Sequence, residues 1–189
     1  MRLFRYKTPV IAILFVAALL AGAYLGGSYF LPDISGSIKM ASESVNESSA
    51  VGKRAPHFDL PDLSGKHVKL SDFAGEPLVV VFWTTWNSEA KDQITILDDF
   101  LGRQSQYEGL VHIVAIDSQE EKSIVSSFMR RGGYAVETLL DTQGIASNAY
   151  GVTGVPAFFF IDRTRTVRES VVGVLSERMI GDNIEKIVH

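Results

Sequence analysis

The sequence predicts an α/β layer fold, a mixed sheet flanked by helices, carried outside a membrane on one apolar helix. Three features predict it. Two continuous runs of mostly apolar, strand-favouring residues, Leu78–Trp83 (LVVVFW) and Val111–Ile116 (VHIVAI), alternate with helical segments, the pattern of strands buried on both faces. Two later runs, Ala157–Ile161 and Thr166–Val172, flank the turn Asp162-Arg163-Thr164-Arg165 and add an antiparallel pair. Ahead of everything else, Val10–Leu31 runs for 22 residues without a charge.

About 20 apolar residues in a helix span a bilayer core. Arg2, Arg5 and Lys7 precede the run and no acidic residue does. That asymmetry keeps residues 1–9 as a cytoplasmic tail, makes 10–31 a transmembrane anchor, and exports the rest. A cleaved signal peptide is the alternative, with Ala21-Gly22-Ala23 following an apolar stretch from Val10 to Leu20. Cleavage there would leave an apolar Tyr-Leu-Gly-Gly-Ser-Tyr-Phe-Leu end, so the uncleaved anchor is favoured. No cysteine follows the small residues, which excludes a lipid-anchored end. Pro32–Lys53 is rich in Ser and Gly and reads as a flexible linker over 32–53, leaving 54–189 as the folded domain. Asn46-Glu47-Ser48 fits the glycosylation pattern, a weak three-residue signal.

Within the domain, Phe58–Leu60 and His67–Leu70 read as a hairpin around Pro61-Asp62-Leu63-Ser64-Gly65-Lys66. Thr84–Trp86 is a loop, and a helix follows to about Gln104 with Ile94, Leu97 and Leu101 on its apolar face. A second helix runs from about Glu120 to Arg131 and stops at Gly132-Gly133. A short helix at Gly144–Tyr150 and a last one at Ser176–Val188, with Ser176 as N-cap, complete the chain.

Composition narrows the chemistry. The chain has no cysteine, so disulfides, zinc–thiolate sites, iron–sulfur clusters and cysteine nucleophiles are all excluded. Residues 1–31 hold three of the 18 basic residues and none of the 22 acidic ones, leaving 15 basic against 22 acidic residues beyond the anchor. A domain that acidic, without a Lys/Arg cluster, is unsuited to nucleic acid. His57, His67, His112 and His189 are scattered, so no metal site is expected; His112, set among apolar residues, reads as a core or partly buried histidine. Glu120-Glu121-Lys122 and Arg130-Arg131 read as solvated helix ends.

Several segments in register resemble one family. Ala55-Pro56-His57-Phe58-Asp59-Leu60, Leu70-Ser71-Asp72-Phe73-Ala74-Gly75, Leu140-Asp141-Thr142-Gln143-Gly144 and Ala149-Tyr150-Gly151-Val152-Thr153-Gly154-Val155-Pro156 resemble the TlpA/ResA/DsbE-type membrane-anchored thioredoxin-like proteins. The resemblance covers about residues 52–189. It implies a thioredoxin fold with an N-terminal β-hairpin extension, and it implies that Val155-Pro156 is a cis peptide beside the active site. It also implies a Trp-Cys-x-x-Cys motif, which here reads Trp86-Asn87-Ser88-Glu89-Ala90. Gln93 and Thr95 stand where the family resemblance predicts Glu and Pro.

Thiol–disulfide exchange needs a thiolate, and neither Asn87 nor Ala90 supplies one. A knockout changes only the two sulfurs; replacement of all four positions looks like natural divergence. Asn87 is a preferred N-cap worth about 1 kcal/mol over Ala. Glu89 sits in the first turn, where negative charge is favoured by roughly 0.3–1 kcal/mol. Hence a capped helix start is expected, with no catalytic residue, no cofactor and no metal. Trp83 and Trp86 are expected to pack beneath and beside it. A binding groove is expected from Trp86, Asn87, Glu89, Val155 and Pro156, because backbone beside such a proline can take an extended segment. The expected function is a membrane-anchored, extracytoplasmic thioredoxin-like module that has lost redox activity and binds a protein or peptide in a redox or maturation pathway. The alternatives are an accessory component acting through a cysteine-bearing partner, an enzyme using Glu89 as an acid–base group, and a scaffold ectodomain.

Overall fold

The computed structural model describes residues 50–103, 107 and 109–189. The expected tail, the anchor at 10–31, the glycosylation pattern and the linker up to residue 49 lie outside them. Among the described residues, no helix is long and apolar enough to cross a membrane.

Strands β1 (Asp59–Pro61) and β2 (His67–Lys69) pair antiparallel as the expected hairpin. The Asp62 carboxylate closes the turn by accepting the amides of Ser64, Gly65 and Lys66 at 2.7, 2.7 and 2.9 Å. A five-stranded sheet forms the centre, in the order β5-β4-β3-β6-β7. In it β3 (Leu78–Trp83) and β4 (His112–Ser118) are parallel, as are β4 and β5 (Thr138–Asp141), while β6 (Ala157–Ile161) and β7 (Val167–Val172) run antiparallel to their neighbours. Every residue of β3 is buried, as its unbroken apolar run predicts.

Alternate residues of these strands feed two cores. Val79, Val81, Trp83, Ala115, Phe158 and Phe160 pack against α1 (Ser88–Arg103), α2 (Lys122–Gly132) and α4 (Glu177–Val188). Val80, Phe82, Val114, Ile116, Leu139 and Phe159 pack with α3 (Ile145–Tyr150) and with Phe58 and Val68 of the hairpin region. Full burial of each such large side chain contributes roughly 1.5–3 kcal/mol before the entropy of ordering is counted. Helix ends follow the sequence signals: Gly133 takes a left-handed φ of 70° after α2, and the Ser176 hydroxyl accepts the Met179 amide at 3.4 Å ahead of α4.

Three expectations are corrected. The apolar face of α1 is Ala90, Ile94, Leu97 and Phe100; Leu101 shares their side of the helix but lies in its last turn and is 46% exposed. His112 is exposed, not core: it opens β4 at the sheet's end, contacts Glu76, and sits 5.2 Å from the Phe73 ring. The folded chain is in place by Ala50, which is buried; Gly52 and Lys53 hydrogen-bond Val167 of β7 at 2.8 and 2.9 Å. Strand β5, only four residues long, was not expected as an element at all.

Candidate functional site

At the carboxyl end of β3 the chain passes from buried Trp83 through Thr84 and Thr85 to Trp86, then enters α1. Ligands of open α/β sheets gather at this end of the strands. Asn87 caps the helix as its residue type predicts: its Oδ1 accepts the Ala90 amide at 3.0 Å and its carbonyl accepts the Lys91 amide at 3.1 Å. That arrangement turns the Asn87 Nδ2 toward the Val155 carbonyl, to which it donates at 3.3 Å. The Val155–Pro156 peptide is cis. Its loop is fixed from behind by the Gly173 amide, which donates to the Pro156 carbonyl at 2.8 Å.

The structure therefore brings Asn87 and Val155 together, with Pro156 next in the chain. Trp86 departs from expectation: it is 71% exposed and joins neither core, whereas Trp83 is fully buried. Ser88 and Glu89 are exposed, and Glu89 has no hydrogen-bond or ionic partner among the described residues. Ala90 is fully buried beneath the helix start. Gln93 is fully buried too, and it grips the Leu175 backbone twice: Oε1 accepts the amide at 2.6 Å and Nε2 donates to the carbonyl at 3.1 Å. A neutral amide both donates and accepts here without needing a proton.

A second group of polar residues lies under the Trp86 turn and was missed. Glu120, expected as a solvated helix end, is partly buried and faces back to the loop. Its carboxylate accepts both the Thr85 amide and the Thr85 hydroxyl, the latter at 2.6 Å. Asp117, directly across from Trp83 in the β3–β4 register, is fully buried and neither of its oxygens makes a hydrogen bond. The Trp83 indole nitrogen and the Thr84 hydroxyl are likewise buried and unpartnered. Burial, followed by the neighbouring Glu120 and Asp141 carboxylates, pushes the Asp117 carboxyl up to about 8. The signal for this group was an Asp at the end of an apolar run with a Glu three residues on, opposite a Thr-Thr pair; only the strand register shows that they meet.

A half-open cavity of about 410 Å³ lies elsewhere, lined by residues including His57, Asp59, Leu60, Asp141 and Ile145. Its two carboxylates already have partners. Asp141 accepts the Ala146 and Ser147 amides at 3.2 and 2.8 Å, and Asp59 pairs with His67 and Lys69 at 2.7 and 3.0 Å. Among the described residues no cluster of His, Cys, Asp and Glu could hold a metal ion. What the site presents to solvent is an exposed indole beside a capped helix start and a cis-proline loop.

Comparison with known proteins fits this geometry. A family model described as the AhpC/TSA family matches residues 51–170. Thiol-disulfide oxidoreductase ResA of Bacillus subtilis is 34% identical over 142 residues, covering 75% of this chain and 78% of that protein. The ResA of Geobacillus thermodenitrificans is 33% identical over 138 residues, covering 73% and 78%. Among solved structures, a DsbE thiol:disulfide interchange protein from Chlorobium tepidum superposes with a TM-score of 0.66 at 25% identity, covering 74% of this chain and 98% of that one. StoA from Bacillus subtilis superposes at 0.61 with 15% identity, covering 68% and 96%, a likeness of fold alone.

Proposed function

Because this chain belongs to the TlpA/ResA/DsbE-type thioredoxin-like proteins of the AhpC/TSA family yet contains no cysteine, we propose that it is a binding module and not a thiol–disulfide oxidoreductase. One observation carries the proposal: a 71% exposed tryptophan, Trp86, next to a helix start where Asn87 and Ala90 stand in place of the thiols. A large indole left in water beside an ordered backbone loop suits the capture of a partner segment. The occupant is an extended stretch of another protein, laid along Trp86, Asn87, Glu89, Val155 and Pro156. The relatives' thiol–disulfide activity supports placing this module in a redox pathway, beside a cysteine-bearing partner. The apolar run at 10–31 supports a membrane tether with the domain on the extracytoplasmic side.

Two experiments test this. Purified protein should not accelerate dithiothreitol-driven insulin reduction; turnover by the pure chain would overturn the redox-inactive assignment. Cross-linked capture from native membranes should lose its principal partner on Trp86→Ala. Undiminished capture by that variant would assign binding to another face and favour a scaffold role.

A further inference from the structure

Asp117 is a buried carboxyl with no close donor to either oxygen, set beside the Glu120 carboxyl, and the proposed groove has no catalytic use for it. Its position is the informative fact. It lies opposite Trp83, the last residue of β3, while Glu120 in the following loop holds Thr85 by both its amide and its hydroxyl. Trp86 is the next residue. Glu120 thus ties directly to the turn that carries the exposed indole, and it is also the first charged neighbour of Asp117.

The charged groups acting on Asp117 are both carboxylates: Glu120 from its own loop and Asp141 from β5. The residues packed on the same face from α1 and α2 are Ala90, Ile94, Val125 and Met129, and β3 contributes Trp83; none carries charge. Among the described residues no cation pairs with either carboxyl, so the balance between them turns on a single proton. Two ionised carboxylates close together in a site shielded from water repel strongly, and the one with freer geometry moves. Glu120 is the freer, since it is only partly buried whereas Asp117 is fully buried in the strand end.

We propose that Asp117 and Glu120 form a proton-operated clasp that sets the position of Trp86. With Asp117 protonated, Glu120 is the only charge in the pair and holds the Thr85 amide and hydroxyl, fixing the turn. When Asp117 releases its proton to solvent, repulsion drives Glu120 off Thr85 and the Trp86 turn is freed. The regulatory meaning rests on the groove proposed above; the clasp itself does not. Burial places the switch near pH 8, in the range an extracytoplasmic domain would meet.

Nuclear magnetic resonance of the full-length chain in mild detergent tests this without any partner. The Thr85 amide and the Trp86 indole resonances are followed from pH 6 to 9.5, the two indoles being assigned with Trp86→Ala. The expected result is one shared single-proton step centred near 8. Asp117→Asn should abolish the step and hold both resonances at their low-pH positions. Glu120→Gln, which cannot accept from Thr85 with two equivalent oxygens, should place the Thr85 amide at its released position already at pH 6. Flat resonances in the wild type, a step that survives Asp117→Asn, or a Thr85 step without a Trp86 step would each overturn the clasp. Loss of partner capture by Trp86→Ala is read separately, so failure of the groove and failure of the clasp are distinguishable.

Discussion

Replacing Gln93 with leucine should destabilise the domain far more than a buried, near-isosteric change suggests. Gln93 reaches across 82 residues of sequence to pair with both backbone groups of Leu175, at 2.6 and 3.1 Å, in a site with no solvent access. Gln93→Leu keeps the volume but leaves the Leu175 amide and carbonyl buried and unpaired. Each such group costs about 1–3 kcal/mol, partly offset by the better burial of leucine, so a net loss of roughly 2–5 kcal/mol follows. For a domain of this size each kcal/mol lowers the melting temperature by roughly 2–4 °C. Urea denaturation of the full chain followed by circular dichroism should show a lower midpoint with an unchanged slope. Gln93→Glu sharpens the test. It sets a carboxylate against the Leu175 carbonyl, so at neutral pH it should be unstable and should recover as acid protonates it. A Gln93→Leu variant within about 0.5 kcal/mol of wild type, or a Gln93→Glu variant indifferent to pH, would refute the reasoning.

Three further outcomes follow from the same geometry. Burial raises the folded-state Asp117 carboxyl to about 8 from the ordinary 3.8, so the folded chain binds the extra proton and stability falls as pH climbs between those values. Asp117→Asn should flatten that decline, a difference on the order of 4 kcal/mol at pH 7, read by urea midpoints at pH 5, 6.5 and 8. Asn87→Ala removes the cap on α1 and the bond to Val155, and should lower stability by about 1–2 kcal/mol in the same assay. The double variant Asn87→Cys, Ala90→Cys should form an intramolecular disulfide under mild oxidant, detected as the loss of two titratable thiols, because helix starts at this spacing favour a thiolate.

Much of the fold was legible because its elements announce themselves locally. The apolar run of β3, the Gly132-Gly133 stop and the Ser176 cap each carry their reason within a few residues. Strand β5 was not, because four residues bounded by Glu137 and Thr142 give too short a period to separate from loop; its pairing with β4 decides it. The cap at Asn87 was readable from residue type, and the cis peptide followed from the family resemblance. The exposure of Trp86 was not readable, since an indole beside a helix start more often packs than projects. Asp117 and Glu120 were opaque for a different reason. A carboxylate after an apolar strand looks like the beginning of solvent, and only the Trp83–Asp117 register reveals that the strand end is still covered.

The Asn87 amide on the Val155 carbonyl has one more implication. The acceptor that a visiting strand would seek is already engaged by the protein itself, so docking there is an exchange and not an addition. The newcomer must evict a neighbour or share a lone pair, and the net gain from the backbone is small. Discrimination among ligands then falls to how well their side chains fit the indole, which favours a partner chosen by shape over one held merely because it is extended.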